Sequence, residues 1–319
     1  MKKKSTLLIK GMLALSLFAG GYLTALSSPA VEASKAPSTV QVVADGKSIP
    51  GAVVDGTTFV SARAIGEALG RVVSWNPEEN TVNIESRLDA IIKRGYIRVG
   101  TAGDYKPFTY LNPKTGEYEG YDIDAAKKMA KDLGVEVKFV QTSWPTLMSD
   151  LLADKFDIAM GGITRNVARQ KTAQLTHPYI EFGKSPLIRL EDKEKFKSLA
   201  DIDQPHVRIG VNPGGTNKVF VDANFKKAQV TVVENNLDIP GLVAEGKYDV
   251  MITDNIEAML YSKEDKRLYA ALTDDTFTTD EKGYLMHRGD QVFTNWVNLW
   301  MEEMTLKGEF EKLENQWIK

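Results

Sequence analysis

The chain has 319 residues, 43% of them hydrophobic and 26% charged, which suits about two ordinary globular domains and excludes a disordered or fibrous protein. With no cysteine it has neither disulfides nor thiol chemistry, so its stability rests on core burial. A formal charge of −3 points away from nucleic acid as a partner.

At the N-terminus, Met1-Lys2-Lys3-Lys4 precedes an apolar run from Leu7 to Leu26, broken by Lys10 and several glycines, then Ser27-Ser28-Pro29 and Val31-Glu32-Ala33. This order predicts a signal peptide over residues 1–33, cleaved after Ala33. A retained membrane anchor is the other reading, because the run approaches spanning length; no later segment does. Cleavage removes four lysines and one glutamate and takes the formal charge from −3 to −6. No cysteine follows the leader to carry a lipid, so the chain is expected to be exported, to a periplasm or the cell surface, without a lipid anchor.

Residues 34–38 read as a polar linker, and 39–85 as a unit of their own. Val40, Val42 and Val43 open a strand, Asp45-Gly46 and Asp55-Gly56 are hairpin turns, and residues 57–60 form another strand. Ser61 caps a helix that Gly70 ends, and residues 72–75 and 81–84 pair across Asn76-Pro77. The segments Thr58-Phe59-Val60-Ser61-Ala62-Arg63-Ala64-Ile65, Glu67-Ala68-Leu69-Gly70 and Val73-Ser74-Trp75-Asn76 resemble the small N-terminal domain of copper amine oxidases. The likeness imports no metal, since residues 34–86 hold no histidine and no cysteine. A spacer, a wall-contact surface or a homo-oligomerisation module are the roles it leaves open.

From residue 86 the pattern turns to alternating helix and strand. Helices are predicted at 87–94, 123–133, 144–153, after 214–216, at 237–245 and from 255, with strands at 97–100, 135–140, 156–160, 207–211, 230–233 and 248–252. A strand at 284–287 and helices over 292–318 return to the first lobe. Repeated βα units of this kind predict an α/β fold with helices on both faces of mixed sheets.

In such sheets ligands bind beyond the carboxyl ends of the strands, which singles out four places. Residues 101–108 bring Tyr105 and Phe108 either to the cleft mouth or into ordinary core. Gly161-Gly162-Ile163-Thr164 allows close backbone approach, and Arg169, one helical turn past Asn166, offers a planar fork for a carboxylate or else a solvated surface charge. Asn212-Pro213-Gly214-Gly215-Thr216-Asn217 opens a helix whose free N–H groups suit a small anion; the alternative is a tight turn capped by Thr216. It is neither a phosphate loop nor a dinucleotide fingerprint. Finally, Asp254 and Glu257 are either a capping box or a pair in which Asp254 holds a ligand ammonium and Glu257, with a raised pKa, donates a proton; Arg169 and Lys184 nearby would oppose that rise. His177, His206 and His287 have no metal spacing, and no G-x-S-x-G occurs.

Residues 86–319 resemble the extracellular solute-binding proteins for amino acids, and more closely the exported cyclohexadienyl dehydratases. The likeness rests on Arg87-Leu88-Asp89, Gly103-Asp104-Tyr105-Lys106-Pro107-Phe108, Thr142-Ser143-Trp144-Pro145, Phe156-Asp157-Ile158-Ala159-Met160, Gly183-Lys184, Asn212 to Asn217, Thr253-Asp254 and Ile256-Glu257-Ala258, in order. It implies a type 2 periplasmic-binding-protein fold: one lobe from residues 86–185 and 278–319, the other from 186–277, with crossings near 184–187 and 276–284. Gly161 and Ala102 depart from relatives that carry hydroxyls there.

The resemblance further implies loss of water and carbon dioxide together, from prephenate to phenylpyruvate or from arogenate to phenylalanine, with no cofactor. Glu257, Asn217 and Lys184 would be the catalytic group. Arg169, Gly162, Thr164, Gly215 and Thr216 would seat carboxylates, Tyr105 and Trp144 would pack on the ring, and Asp254 would take the arogenate amine. The alternative is a non-catalytic amino-acid receptor serving the permease of an ABC transporter.

Overall fold

The computed structural model describes residues 38–319; the expected leader lies outside the described residues. Local chemistry accounts for the first unit. Strands Ser38–Ala44, Lys47–Val54 and Thr57–Val60 form an antiparallel sheet whose two turns place Asp45, Gly46, Asp55 and Gly56 at positive φ, the geometry of Asp-Gly hairpins. The Ser61 side chain accepts from the Ala64 N–H at 3.3 Å and caps helix Ala62–Ala68. Strands Val72–Asn76 and Thr81–Glu85 pair beyond it, and the Asn76 side chain accepts from the amides of Glu78 and Glu79 to shape the turn.

This unit leans on the larger body where its helix ends. Gly70, at φ 74°, backs onto the main chain of Arg288 to Asp290, where an added Cβ would collide with backbone. Arg71 lies 3.6 Å from Asp290, which also accepts the Arg87 N–H and caps helix Gln291–Leu306 through the Phe293 N–H.

The larger body holds two five-stranded sheets. In the first, Tyr96–Thr101 runs parallel to Glu136–Gln141 on one side and to Ile158–Ala159 on the other, followed by the antiparallel Leu285–Met286 and then Gln174–Leu175. In the second, Arg208–Val211 lies parallel to Gln229–Val232 and Val250–Asp254, and Lys184–Arg189 and Leu268–Ala270 complete the sheet antiparallel. Strands buried on both faces read as apolar runs such as Val250 to Ile252. The C-terminal helices Gln291–Leu306 and Glu309–Trp317 pack Phe293, Val297, Met301 and Phe310 against Ile91, Ile97 and Met129 of the first lobe.

An antiparallel ribbon, Ile180–Phe182 with Asp280–Lys282, joins the lobes. The stretch 184–187, expected to be a crossing, belongs instead to the second sheet, with Lys184 opposite Asp254. Two other expectations shorten: the helix predicted from residue 144 begins at Leu147, because Pro145 disfavours helical backbone at Trp144, and the strand predicted over 156–160 pairs only at Ile158–Ala159. A small sheet of Asp104–Tyr105, Thr109–Leu111 and Tyr118–Glu119 carries no alternation long enough to predict. Among the described residues no helix is long and apolar enough to cross a membrane.

Candidate active site

Strand Val250–Asp254 ends in a carboxylate that is 2% exposed. Both of its oxygens are occupied. Lys184 donates to Oδ1 at 2.5 Å; Lys282 donates to Oδ2 at 2.5 Å, and the Tyr105 hydroxyl donates to the same oxygen from the facing lobe. Burial pushes the Asp254 pKa up, but the two ammonium groups overcome it and hold the carboxyl at about 2. Lys184 also donates to Thr216 Oγ1 at 3.0 Å and to Asn217 Oδ1 at 2.5 Å. Lys282 is 1% exposed, lies 3.7 Å from the centre of the Phe182 ring, and is pushed down to about 8 by burial, against the pull of Asp254. The expectation that Asp254 waits for a ligand ammonium is therefore corrected: its carboxylate already accepts three hydrogen bonds from this chain, two of them from ammonium groups.

Glu257, in the first turn of helix Asn255–Glu264, is fully buried. Its Oε1 accepts from Asn236 Nδ2 at 2.9 Å and its Oε2 from the Thr253 hydroxyl. Burial raises its pKa most, the Thr253 hydrogen bond lowers it, and the charges of Asp254 and Asp104 raise it again, to about 8. Neither acid caps the helix: Asp254 stands at the N-cap position without a side-chain bond to it, which removes the capping-box reading. At neutral pH Glu257 holds a proton. Asn236 also donates to the Asp104 carbonyl at 3.0 Å, tying Glu257's partner to the opposite lobe, while its own Oδ1 is buried without a partner.

Between the lobes lies a narrow gap, with about 20 Å³ of room for water, that Asp254, Lys282, Asn236, Asn212, Trp144 and Tyr105 help to line. Tyr105 stacks on Phe108 at 5.4 Å between ring centres and meets Trp144 edge-on at 5.7 Å, and the Trp144 N–H donates to Asp104 Oδ1 at 3.0 Å. Glu257 and Lys184 sit immediately behind this wall, each touching residues that form it.

The proposed anion seats fare unequally. The Gly162 N–H donates to buried Asp122 at 2.5 Å, so Gly162 lines the gap without offering its amide, a correction to the expected seat there. Helix Gly215–Asn224 starts without any side-chain cap. The Thr216 hydroxyl instead meets Lys184 and, across the cleft, Thr164 at 3.2 Å, which removes the reading of Thr216 as a cap. Arg169 donates to the Thr164 carbonyl at 2.6 Å and makes no ion pair among the described residues; burial pulls its pKa down to about 10. Asn217 is held by Lys184, and its amide nitrogen reaches Asn212 and Thr253 at 3.4 Å.

Two residues escaped the sequence reading, Lys282 and Asn236, and Asn212 stood in the helix-opening motif without a role of its own. Lys282 lies in a stretch that reads as a hinge, and Asn236 in the polar run Glu234-Asn235-Asn236 before a helix, where a turn is the default. The signal available for Asn212 was its place at the end of strand Arg208–Val211. Among the described residues no three of His, Asp or Glu gather in a group able to hold a metal ion.

With this geometry in view, the relatives are informative. The family model for bacterial extracellular solute-binding proteins, family 3, matches residues 97–319, and that for the copper amine oxidase N-terminal domain matches residues 42–95. Cyclohexadienyl dehydratase of Pseudomonas aeruginosa is 42% identical over 74% of this chain and 87% of that protein. The ABC transporter glutamine-binding protein GlnH of Bacillus subtilis is 28% identical over 76% of this chain and 89% of its own. The crystal structure of an ancestral amino acid-binding protein, a precursor of cyclohexadienyl dehydratase, is 37% identical with a TM-score of 0.69, over 73% of this chain and all of that one.

Proposed function

The chain belongs to the bacterial extracellular solute-binding proteins of family 3, and from that premise we propose that it is a cyclohexadienyl dehydratase. The reaction removes water and carbon dioxide together from a cyclohexadiene carboxylate. In prephenate, Glu257 gives its proton to the departing ring hydroxyl as the C–O bond breaks. The bond from the ring to its carboxylate breaks in the same event, and that electron pair completes the aromatic ring of phenylpyruvate. Loss of hydroxide is slow without an acid, and a positioned acid typically contributes about 10²- to 10⁴-fold.

One observation carries this reading: a fully buried carboxyl, bonded to Asn236 and Thr253 instead of its own helix, keeps its proton at neutral pH. Arg169 and the uncapped turn at Gly215 and Thr216 would hold carboxylates, with Trp144 and Tyr105 against the ring. Lys184 acts from beneath by fixing Thr216, Asn217 and Asp254, while Asn217 itself lines the gap. The gap admits little beyond single waters when shut, so the substrate enters with the lobes apart and closure then excludes water. The protein works outside the cytoplasm, and the unit at 39–85 serves as a spacer, with wall contact or self-association as the alternatives.

The test is direct. Purified protein mixed with prephenate near pH 7 should yield phenylpyruvate, and Glu257→Gln should bind substrate yet lose turnover by about 10²-fold or more. If the wild type yields no product while a common amino acid raises its melting temperature, it is a receptor for a transporter.

A further inference from the structure

The cleft contains a carboxylate that is not available to its guest. Asp254 faces the gap, where Lys184 bonds one oxygen and Tyr105 the other; a second ammonium, Lys282, arrives from the ribbon between the lobes and shares the oxygen that Tyr105 bonds. We propose that Lys282 sets the substrate class of this site by keeping Asp254 from ligand ammonium groups, so that doubly anionic keto acids are favoured over amino-bearing substrates and free α-amino acids. The inference rests on the dehydratase reading for its kinetic consequence, though not for its binding consequence.

Each group around the gap agrees. An incoming ammonium needs an acceptor of negative charge, and three other acids lie near. Glu257 is neutral and bonded to Asn236 and Thr253. Asp104 accepts the indole N–H of Trp144. Asp122 gives one oxygen to the Gly162 amide and the Tyr179 hydroxyl and stands outside the lining of the gap. Two ammonium groups meet at the one Asp254 carboxylate, so an ammonium arriving there is repelled by both. Lys282 cannot swing aside easily. Its Nζ lies within 3.7 to 5.4 Å of the ring centres of Phe182, Tyr105 and Phe108, which hold the cation by their faces.

Lys282→Met keeps the stem and removes the charge, leaving Asp254 paired by Lys184 and Tyr105. Two measurements read the result. Calorimetry with a panel of zwitterionic L-amino acids should show no binding at millimolar concentration for the wild type and binding for the variant. The ratio of kcat/KM for arogenate over prephenate should rise by about tenfold or more, the equivalent of one modest charge interaction. Should Lys282→Met fail to fold, Lys282→Leu, which also removes both the charge and the N–H donor, is expected to move both readouts the same way. An unchanged ratio together with a variant that still ignores amino acids overturns the proposal. A wild type inert toward both cyclohexadienes overturns the dehydratase reading alone, since the amino-acid titration still tests Lys282.

Discussion

Glu257 sits where an ionised carboxyl is costly, and that cost has a measurable pH signature. Its folded pKa of about 8 lies above the ordinary 4.5, so protonation favours the folded state. The contribution is complete below about pH 4.5 and is lost as pH rises through about 8. Glu257→Gln, always neutral, should therefore melt progressively higher than the wild type as pH climbs from 5 to 8.5; a gap that stays constant across this range would contradict the assigned protonation. Turnover by the wild type should fall as pH rises through about 8, where the acid loses its proton. Asn236→Ala removes a hydrogen bond that favours the ionised form, so the alkaline fall in turnover should move to higher pH. A lower rate with an unmoved profile would leave Asn236 as packing only.

Among the elements, the loop entering strand Ile158–Ala159 is held by charge more than by pairing. Asp157 is fully buried and accepts from Arg87 at 2.8 Å, from the Arg98 main chain at 2.8 Å and guanidinium at 2.9 Å, and from Arg94. This joins helix Arg87–Arg94 to strand Tyr96–Thr101 beneath the cleft. Removing one partner from a buried charge cluster leaves the others uncompensated, so Asp157→Ala should cost about 3–5 kcal/mol in denaturant unfolding. Its substrate preference should be unchanged. A loss below about 1 kcal/mol would mean that solvent reaches the arginines.

For the whole molecule, closure and the N-terminal unit are separable. The contacts that cross between the lobes include Tyr105 to Asp254, Asn236 to the Asp104 carbonyl, Thr164 to Thr216, Lys106 to Glu264, and Pro145 against Gly214. The N-terminal unit supplies none of these residues and none of the gap lining, and seats Gly70 on Arg288 to Asp290. Gly70→Val puts a side chain at positive φ against backbone and should lower stability by about 1–3 kcal/mol. The kcat/KM for prephenate should be unaltered. A parallel loss of kcat/KM would show that this seat communicates with the lobes.

Much of this protein is legible locally. The Asp-Gly hairpins, the caps at Ser61 and Ser86, the uncapped helix start at Gly215 and the βα alternation depend on neighbours a few residues apart, and those neighbours are adjacent in the sequence. Glu257 stood out for the same reason, as an acid just past a strand end. What folding alone decided are the partners: Asp254 shared between Lys184 and Lys282, the Gly162 amide given to Asp122, and Asn236 reaching from Glu257 to the other lobe. Each joins residues remote in sequence through a ribbon, a sheet edge or a closed cleft. A single buried lysine or amide leaves no periodic trace; only the path of the chain determines which charge it meets.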